Sequence, residues 1–221
     1  MHRHIVLLGP PAAGKGTQAE LLKERFGFAA PSVGAMLREQ KAAGTPAGLR
    51  AAEYFERGLL VPDEISIEVV RQWLASYDGA WVLDGYPRTV GQADAFEAML
   101  RDQGASIDLA ILIEADEPVI RDRVAHRLGC STCGGVFRSG LHVADSSAPC
   151  PRCASSLSRR ADDSLSALTD RLTEYRTKTA PVINWCQTRA ILRTVDGNRA
   201  IEAVFADFHA LLNGALSSSN F

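Results

Sequence analysis

Short apolar runs alternate along this chain with stretches in which apolar positions recur every three or four residues. Ile5 to Leu8, Ala80 to Leu83, Leu109 to Ile113 and Ile191 to Val195 read as buried strands. Lys15 to Phe26, Asp63 to Tyr77, Val90 to Gln103 and Glu117 to Leu128 carry the helical repeat. Strands and helices in alternation predict βαβ units, hence an α/β fold with a central parallel sheet covered on both faces. In such sheets ligands bind beyond the carboxyl ends of the strands.

Three stretches interrupt or extend this alternation. From Asp163 to Cys186 the residues Leu165, Leu168, Leu172, Tyr175, Val182 and Ile183 follow one helical repeat, which predicts a long helix bent near Pro181. Gly129 to Ser158 is rich in Cys, Gly and Ser, poor in apolar runs, and reads as an inserted module. Pro31 to Val61 reads as two or three short helices, with Thr45-Pro46 as an N-cap and first helical position. The tail Ser217-Ser218-Ser219-Asn220 is expected to be loose.

At 221 residues the prior is one main domain with small insertions. Hydrophobic residues at 46% and charged residues at 23% exclude disorder, collagen and coiled coil. A net charge of −2 excludes a broad basic surface for nucleic acid or anionic membrane. The basic residues before Ile5 resemble the start of a signal peptide, but Gly9-Pro10-Pro11 ends the apolar run too early, and no segment approaches a membrane span. The expected location is therefore the cytoplasm. The five cysteines are too few and unevenly spaced for a disulfide scaffold.

Directly after the first strand comes Gly9-Pro10-Pro11-Ala12-Ala13-Gly14-Lys15-Gly16-Thr17, a G-x-x-x-x-G-K loop with its hydroxyl residue one place late. A strand, a glycine-bounded loop and a helix N-terminus aim backbone N–H groups and a helix dipole at phosphate, and Lys15 adds a mobile positive charge. The pattern predicts binding of a nucleoside triphosphate through Gly14, Lys15, Gly16 and Thr17. A second marker, Asp84, leaves the strand ending at Leu83. A carboxylate there suits Mg²⁺, held directly or through water together with the Thr17 hydroxyl, and it also suits a helix cap.

Taken together, Gly14-Lys15-Gly16-Thr17, Leu83-Asp84-Gly85-Tyr86-Pro87-Arg88-Thr89 with Gln92, and Arg160-Ala161-Asp162-Asp163 before a helix bearing Arg171 resemble the adenylate kinases. Gly34 with Met36-Leu37-Arg38, Leu60-Val61-Pro62-Asp63-Glu64, Asp122-Arg123 and Tyr175 with Thr179-Ala180-Pro181 extend the resemblance over nearly the whole chain. It implies a P-loop kinase that moves the terminal phosphoryl group of ATP to AMP, giving two ADP. The acceptor is already an anionic oxygen, so the task is to join two polyanions and stabilise the charge of the transferring group. Arginine suits it, because its planar fork bonds two oxygens and stays charged.

By the same resemblance Arg38 and Arg88 hold the AMP phosphate, while Arg123, Arg127, Arg160 and Arg171 surround the ATP phosphates and the transferring group. Arg160 and Arg171 are shared with AMP, Gln92 reads its adenine, and Val33 and Gly85 line its site. Lys15, Asp84, Arg88, Arg123, Arg160 and Arg171 form the catalytic set. Three positions depart from the family: Val33 lacks a hydroxyl, Ala35 lacks a carboxylate, and Ala12 replaces a glycine. These imply altered rate or acceptor choice, so another nucleoside monophosphate or donor base is the alternative, and a tightened phosphate loop if position 12 needs positive φ.

Cys130-Ser131-Thr132-Cys133 and Cys150-Pro151-Arg152-Cys153 form two C-x₂-C pairs, the spacing of a closed tetrahedral zinc site. A redox pair is the competing reading, and a zinc ribbon among Arg127, Arg138, Arg152, Arg159 and Arg160 also suits nucleic acid. Some adenylate kinases carry such a site in the lid that closes over ATP, which implies structural Zn²⁺, no nucleic-acid partner, and Cys186 as a buried free thiol. The expected organisation is a monomer with a core of residues 1–31, 62–125 and 164–221, an AMP-binding insert at 32–61 and a zinc-binding lid at 126–163.

Overall fold

A computed structural model of the chain describes residues 3–56, 59–159 and 163–214. Strands β1 (His4–Leu8), β2 (Trp81–Asp84), β3 (Leu109–Glu114) and β7 (Leu192–Asp196) form a wholly parallel sheet in the order β2-β1-β3-β7. Along the outer edge of β2 the segment from Ala29 to Ser32 adds further parallel pairing, with the Val82 N–H donating to the Ala29 carbonyl at 2.8 Å.

Both faces of the sheet are covered, which is why its strands are apolar without alternation. Val6 and Leu8 of β1 face one cluster, together with Leu83, Ala110 and Leu112. That face is closed by α4 (Asp63–Ala75), α5 (Val90–Asp102) and α8 (Ala180–Thr188). Ile5 and Leu7 face the other way, with Val82, Ile111 and Ile113, against α1 (Lys15–Phe26) and α9 (Ile201–Leu212). The α9 helix is absent from the expectations above, although Val204, Phe205, Phe208, Leu211 and Leu212 carry its repeat and are all buried.

Residues 31 to 61 contain α2 (Val33–Ala42) and α3 (Pro46–Glu56), with Thr45 between them. Its hydroxyl accepts from the Gly48 N–H at 3.1 Å and donates to the Gln40 side chain at 2.7 Å, so the expected cap is formed.

The helix expected over Glu117 to Leu128 stops earlier. α6 spans Glu117–Ala125, and Arg127–Cys130 is instead β4, the middle strand of a small antiparallel sheet. Its partners are β5 (Val136–Arg138) and β6 (Leu157–Ser158), and hairpin pairing with β5 overrides the helical pattern at Arg127 and Leu128. The single long helix is likewise divided. α7 (Leu165–Glu174) leads through a π-helical turn, Tyr175–Thr179, into α8, and Pro181 stands in the first turn after the change. Arg160, Ala161, Asp162 and the tail Ser217 to Asn220 lie outside the described residues.

Candidate active site

The phosphate loop begins where β1 ends. Gly9 turns the chain with φ of 135°, and a β-carbon there would lie 2.3 Å from the Ile113 carbonyl oxygen on the adjacent strand, so a side chain does not fit. Ala12, in place of the family's glycine, does sit at positive φ, 58°. The left-handed conformation costs a non-glycine residue about 1–2 kcal/mol. The methyl group recovers part of that by packing against the cluster of Ile120, Val124, Leu168 and Leu172. Gly14, at φ of 113°, caps α1 and leaves the first-turn N–H groups of the helix to an anion.

Lys15 bends back over this loop, its ammonium donating to the carbonyls of Gly9 at 2.8 Å and Pro10 at 2.7 Å. Burial pushes its pKa down to about 8; Asp84 opposes the shift, and the positive charges of Arg88, Arg171 and Arg127 reinforce it. Those four groups, drawn from three segments of the chain, therefore converge on the loop lysine. Asp84 lies against the start of α1, with a carboxylate oxygen 3.4 Å from where a β-carbon on Gly16 would stand. The cap of α5 is Thr89, whose hydroxyl accepts from the Gln92 N–H at 3.1 Å, so Asp84 is not a helix cap and its carboxylate faces the loop.

Arg123 of α6 braces the loop from the side. Its guanidinium donates to the carbonyls of Ala13 at 2.9 Å and Gly197 at 2.6 Å, tying the loop to the turn after β7. Arg127 and Arg171 share a carboxylate that the sequence reading left without a role. Asp163, its side chain fully enclosed, accepts two hydrogen bonds from Arg127 and lies 3.8 Å from the Arg171 guanidinium.

On the other side of the loop, Gly85 adopts φ of 78° before a cis Tyr86–Pro87 bond. The Arg88 guanidinium folds back over it, Nε donating to the Gly85 carbonyl at 2.8 Å. Arg38 of α2 lies beside Gly34, 3.4 Å from where a β-carbon would stand. Val33 is buried, packed in the core cluster with Leu37, and Ala35 is half-buried. Gln92 is buried, its amide donating to Asp63 at 2.7 Å and accepting from the Arg88 N–H at 2.8 Å. The sequence marks Asp63 as a helix start and as part of the family-like run Leu60 to Glu64, without a role at the site. Nothing in one sequence places its carboxylate beside residue 92. A separate cavity of about 510 Å³, lined by His4, Tyr77 and Trp81, lies at the amino end of the sheet and is no part of this site.

In the small sheet the four cysteines meet. Their sulfur atoms lie within 4.8 Å of one another, and Cys130 to Cys153 and Cys133 to Cys150 are each 3.5 Å apart. Four ligands at a zinc–sulfur distance of about 2.3 Å in a tetrahedron stand about 3.8 Å apart, so the donor set fits one ion. No disulfide joins the described cysteines.

The two pairs are built alike. The Gly134 N–H donates to the Cys130 carbonyl at 3.0 Å and the Ala154 N–H to the Cys150 carbonyl at 2.9 Å, and both residues take the left-handed conformation. The Cys133 N–H lowers the Cys130 thiol, and the Ser155 hydroxyl and N–H bring Cys153 down to about 6. Cys133, despite the Gly135 N–H, is pushed up to about 12 by burial and its sulfur neighbours. Cys186 is a buried free thiol, as expected. Arg152, inside the second knuckle, docks the small sheet on α1 by donating to Glu20 at 3.0 Å and Glu24 at 3.4 Å.

A glycine-bounded loop at the head of a parallel sheet, its lysine surrounded by arginines, makes this a P-loop enzyme able to hold several phosphate groups at once. Comparison with known proteins is narrower. The family model described as adenylate kinase matches residues 7–191. An adenylate kinase of Geobacillus sp. (strain WCH70) is 40% identical over 213 residues, covering 96% of this chain and 99% of the relative. That of Kosmotoga olearia is 42% identical over 203 residues, 91% and 94% of the two chains, and that of Archaeoglobus fulgidus 37% over 211 residues, 95% and 97%. The chain belongs to the adenylate kinase family, whose members are phosphotransferases.

Proposed function

We propose that this site transfers the terminal phosphoryl group of ATP reversibly to AMP, giving two ADP. The observation that carries this reading is the convergence of Arg88, Arg127 and Arg171 on Lys15, with Asp84 as the opposing charge. So much positive charge around one lysine, offset in part by Asp163 and Asp84, suits a site built for two polyanions. A phosphate oxygen of AMP attacks the γ-phosphorus, the bond from that phosphorus to the β–γ bridging oxygen breaks, and ADP departs with the electron pair. No proton needs to be removed from the acceptor, so positioning and charge stabilisation supply the catalysis.

In this reading Gly14, Lys15, Gly16 and Thr17 hold the ATP phosphates, with Arg123 shaping the loop and Arg127 and Arg171 reaching the transferring group. Arg38 and Arg88 take the AMP phosphate, and Gln92 meets its base. Arg160, which the family resemblance assigns to both nucleotides, lies outside the described residues. Asp84 and Thr17 would hold Mg²⁺, which neutralises phosphate charge when it arrives with the nucleotide. Zn²⁺ held by Cys130, Cys133, Cys150 and Cys153 would be structural, because all four positions are protein thiolates and none is left for substrate.

The working division is a core of 1–31, 62–125 and 164–221, an AMP-binding insert of 32–61 and a lid of 126–163. No described helix is long and apolar enough to cross a membrane, and a cytoplasmic monomer without a nucleic-acid partner is the reading that goes with this activity. An ADP-forming assay with ATP against AMP, GMP, CMP and UMP, with and without Mg²⁺, tests it. Mg²⁺-dependent turnover with AMP foremost is expected; turnover with another acceptor in preference to AMP would refute the acceptor assignment.

A further inference from the structure

We infer that Asp63 locks the side-chain amide of Gln92 in one orientation and so makes the acceptor site choose a 6-aminopurine over a 6-oxopurine. The inference rests on the reading of Gln92 as the residue that meets the acceptor base.

A glutamine amide presents an acceptor oxygen and a donor nitrogen of nearly equal shape, so its orientation is set by its neighbours. Here the neighbours leave no choice. The Asp63 carboxylate can only accept, and it takes the Gln92 Nε2–H at 2.7 Å. The Arg88 backbone N–H can only donate, and it meets Gln92 Oε1 at 2.8 Å. Exchanging the two ends would set carboxylate against carbonyl oxygen and N–H against N–H around the buried Gln92 side chain. Asp63 is itself held, since its second oxygen receives the Thr89 hydroxyl at 2.6 Å, while that hydroxyl accepts from the Gln92 N–H. Four residues from two segments thus close a small ring of bonds in which each donor has an acceptor.

This ring does not exhaust the amide. One N–H and one lone pair of Gln92 stay available. A 6-aminopurine offers an exocyclic donor beside a ring-nitrogen acceptor, which matches a carbonyl oxygen and an amide N–H in fixed positions. A 6-oxopurine offers the reverse pair, and a base anchored through its phosphate cannot turn over to compensate. A free amide would flip and accept either; a locked one rejects the oxo base because two polar groups would be left opposed.

The probes are AMP and inosine 5′-monophosphate, which differ at the 6-position and the adjoining ring proton. The ratio of kcat/KM for AMP to that for inosine monophosphate is measured in the unaltered enzyme, in Asp63→Asn, whose own amide can donate or accept, and in Gln92→Ala. The ratio is expected to fall at least about tenfold in Asp63→Asn, by gain with the oxo substrate as well as loss with AMP, while the KM for ATP stays unchanged. It is expected to collapse in Gln92→Ala. If Asp63→Asn does not fold, Asp63→Ser, equally suited to a helix start, carries the same test. A ratio unchanged in Gln92→Ala would show that Gln92 does not meet the base, which overturns the underlying reading. A ratio that falls in Gln92→Ala but holds in the Asp63 variant overturns the lock alone.

Discussion

Arg127 donates two hydrogen bonds to Asp163, a carboxylate whose side chain has no solvent exposure at all. Because the same carboxylate lies 3.8 Å from Arg171, one buried acid positions two of the arginines proposed to reach the transferring phosphoryl group. Removing one partner of a buried ion pair strands the other charge and costs about 3–5 kcal/mol. Asp163→Ala is therefore expected to lower the melting temperature by about 10 °C and to cut kcat more than the KM for either nucleotide. Thermal unfolding with steady-state kinetics checks this; an unchanged melting temperature would show that the arginines are held by other groups.

Gly85→Ala separates the two substrate sites. The new methyl would stand 2.9 Å from the Arg88 guanidinium in a residue held at φ of 78°, so Arg88 must move. The expected result is a loss of about 1–2 kcal/mol in stability from the left-handed backbone and a roughly tenfold rise in the KM for AMP, with the KM for ATP little changed. Equal increases in both KM values would count against the assignment of Arg88 to the acceptor.

Lys15 supplies a pH signature. Its folded pKa of about 8 lies below the ordinary 10.5, so the ammonium is charged below pH 8 and is lost as the pH rises through that value. Nucleotide phosphates are fully ionised by then and do not titrate. Calorimetry with a non-hydrolysable ATP analogue should show affinity falling above about pH 8, and Lys15→Met should bind weakly with a flat profile. For stability the sign is opposite. A lysine with a depressed pKa penalises the fold while charged, so its contribution to stability improves between pH 8 and 10.5.

The cysteine cluster predicts one metal ion per chain. Among the described residues the small sheet and its turns bury Leu128, Cys130, Phe137, Cys150 and Leu157, a small core whose folding free energy a bound metal would supply. Metal analysis should find zinc in the purified protein and none in Cys150→Ser, which should also melt at a lower temperature. Recovery of the four cysteines as two disulfides without metal would favour the redox reading.

Much of this was visible in the residues, for identifiable reasons. The strands are short apolar runs, and the phosphate loop and cysteine pairs are local patterns whose spacing is itself the chemistry. What escaped lies in how segments meet. Arg127 and Leu128 continue the helical repeat of α6 yet form a strand, because they pair with Arg138 and Phe137 of β5 in a hairpin closed through the first cysteine pair, while β6 pairs only with Gly129 and Cys130. The roles of Asp163 and Asp63 depend on where folding places their partners, Arg127 at 36 positions' separation and Gln92 at 29. The π-helical turn before Pro181 replaces the simple bend that a proline suggests. The C-terminal helix α9 could have been read from Val204, Phe205, Phe208, Leu211 and Leu212, whose spacing is a plain helical repeat.

The central claim is that charges gathered around Lys15 carry a phosphoryl group between two nucleotides. It is tested most directly by phosphorus NMR of the protein with ATP, AMP and Mg²⁺, run beside the Lys15→Met and Arg171→Ala variants. The account predicts conversion of ATP and AMP to ADP in equal measure, at least a hundredfold slower in either variant. ATP hydrolysis to ADP and inorganic phosphate with AMP unconsumed, or turnover indifferent to both substitutions, would contradict it.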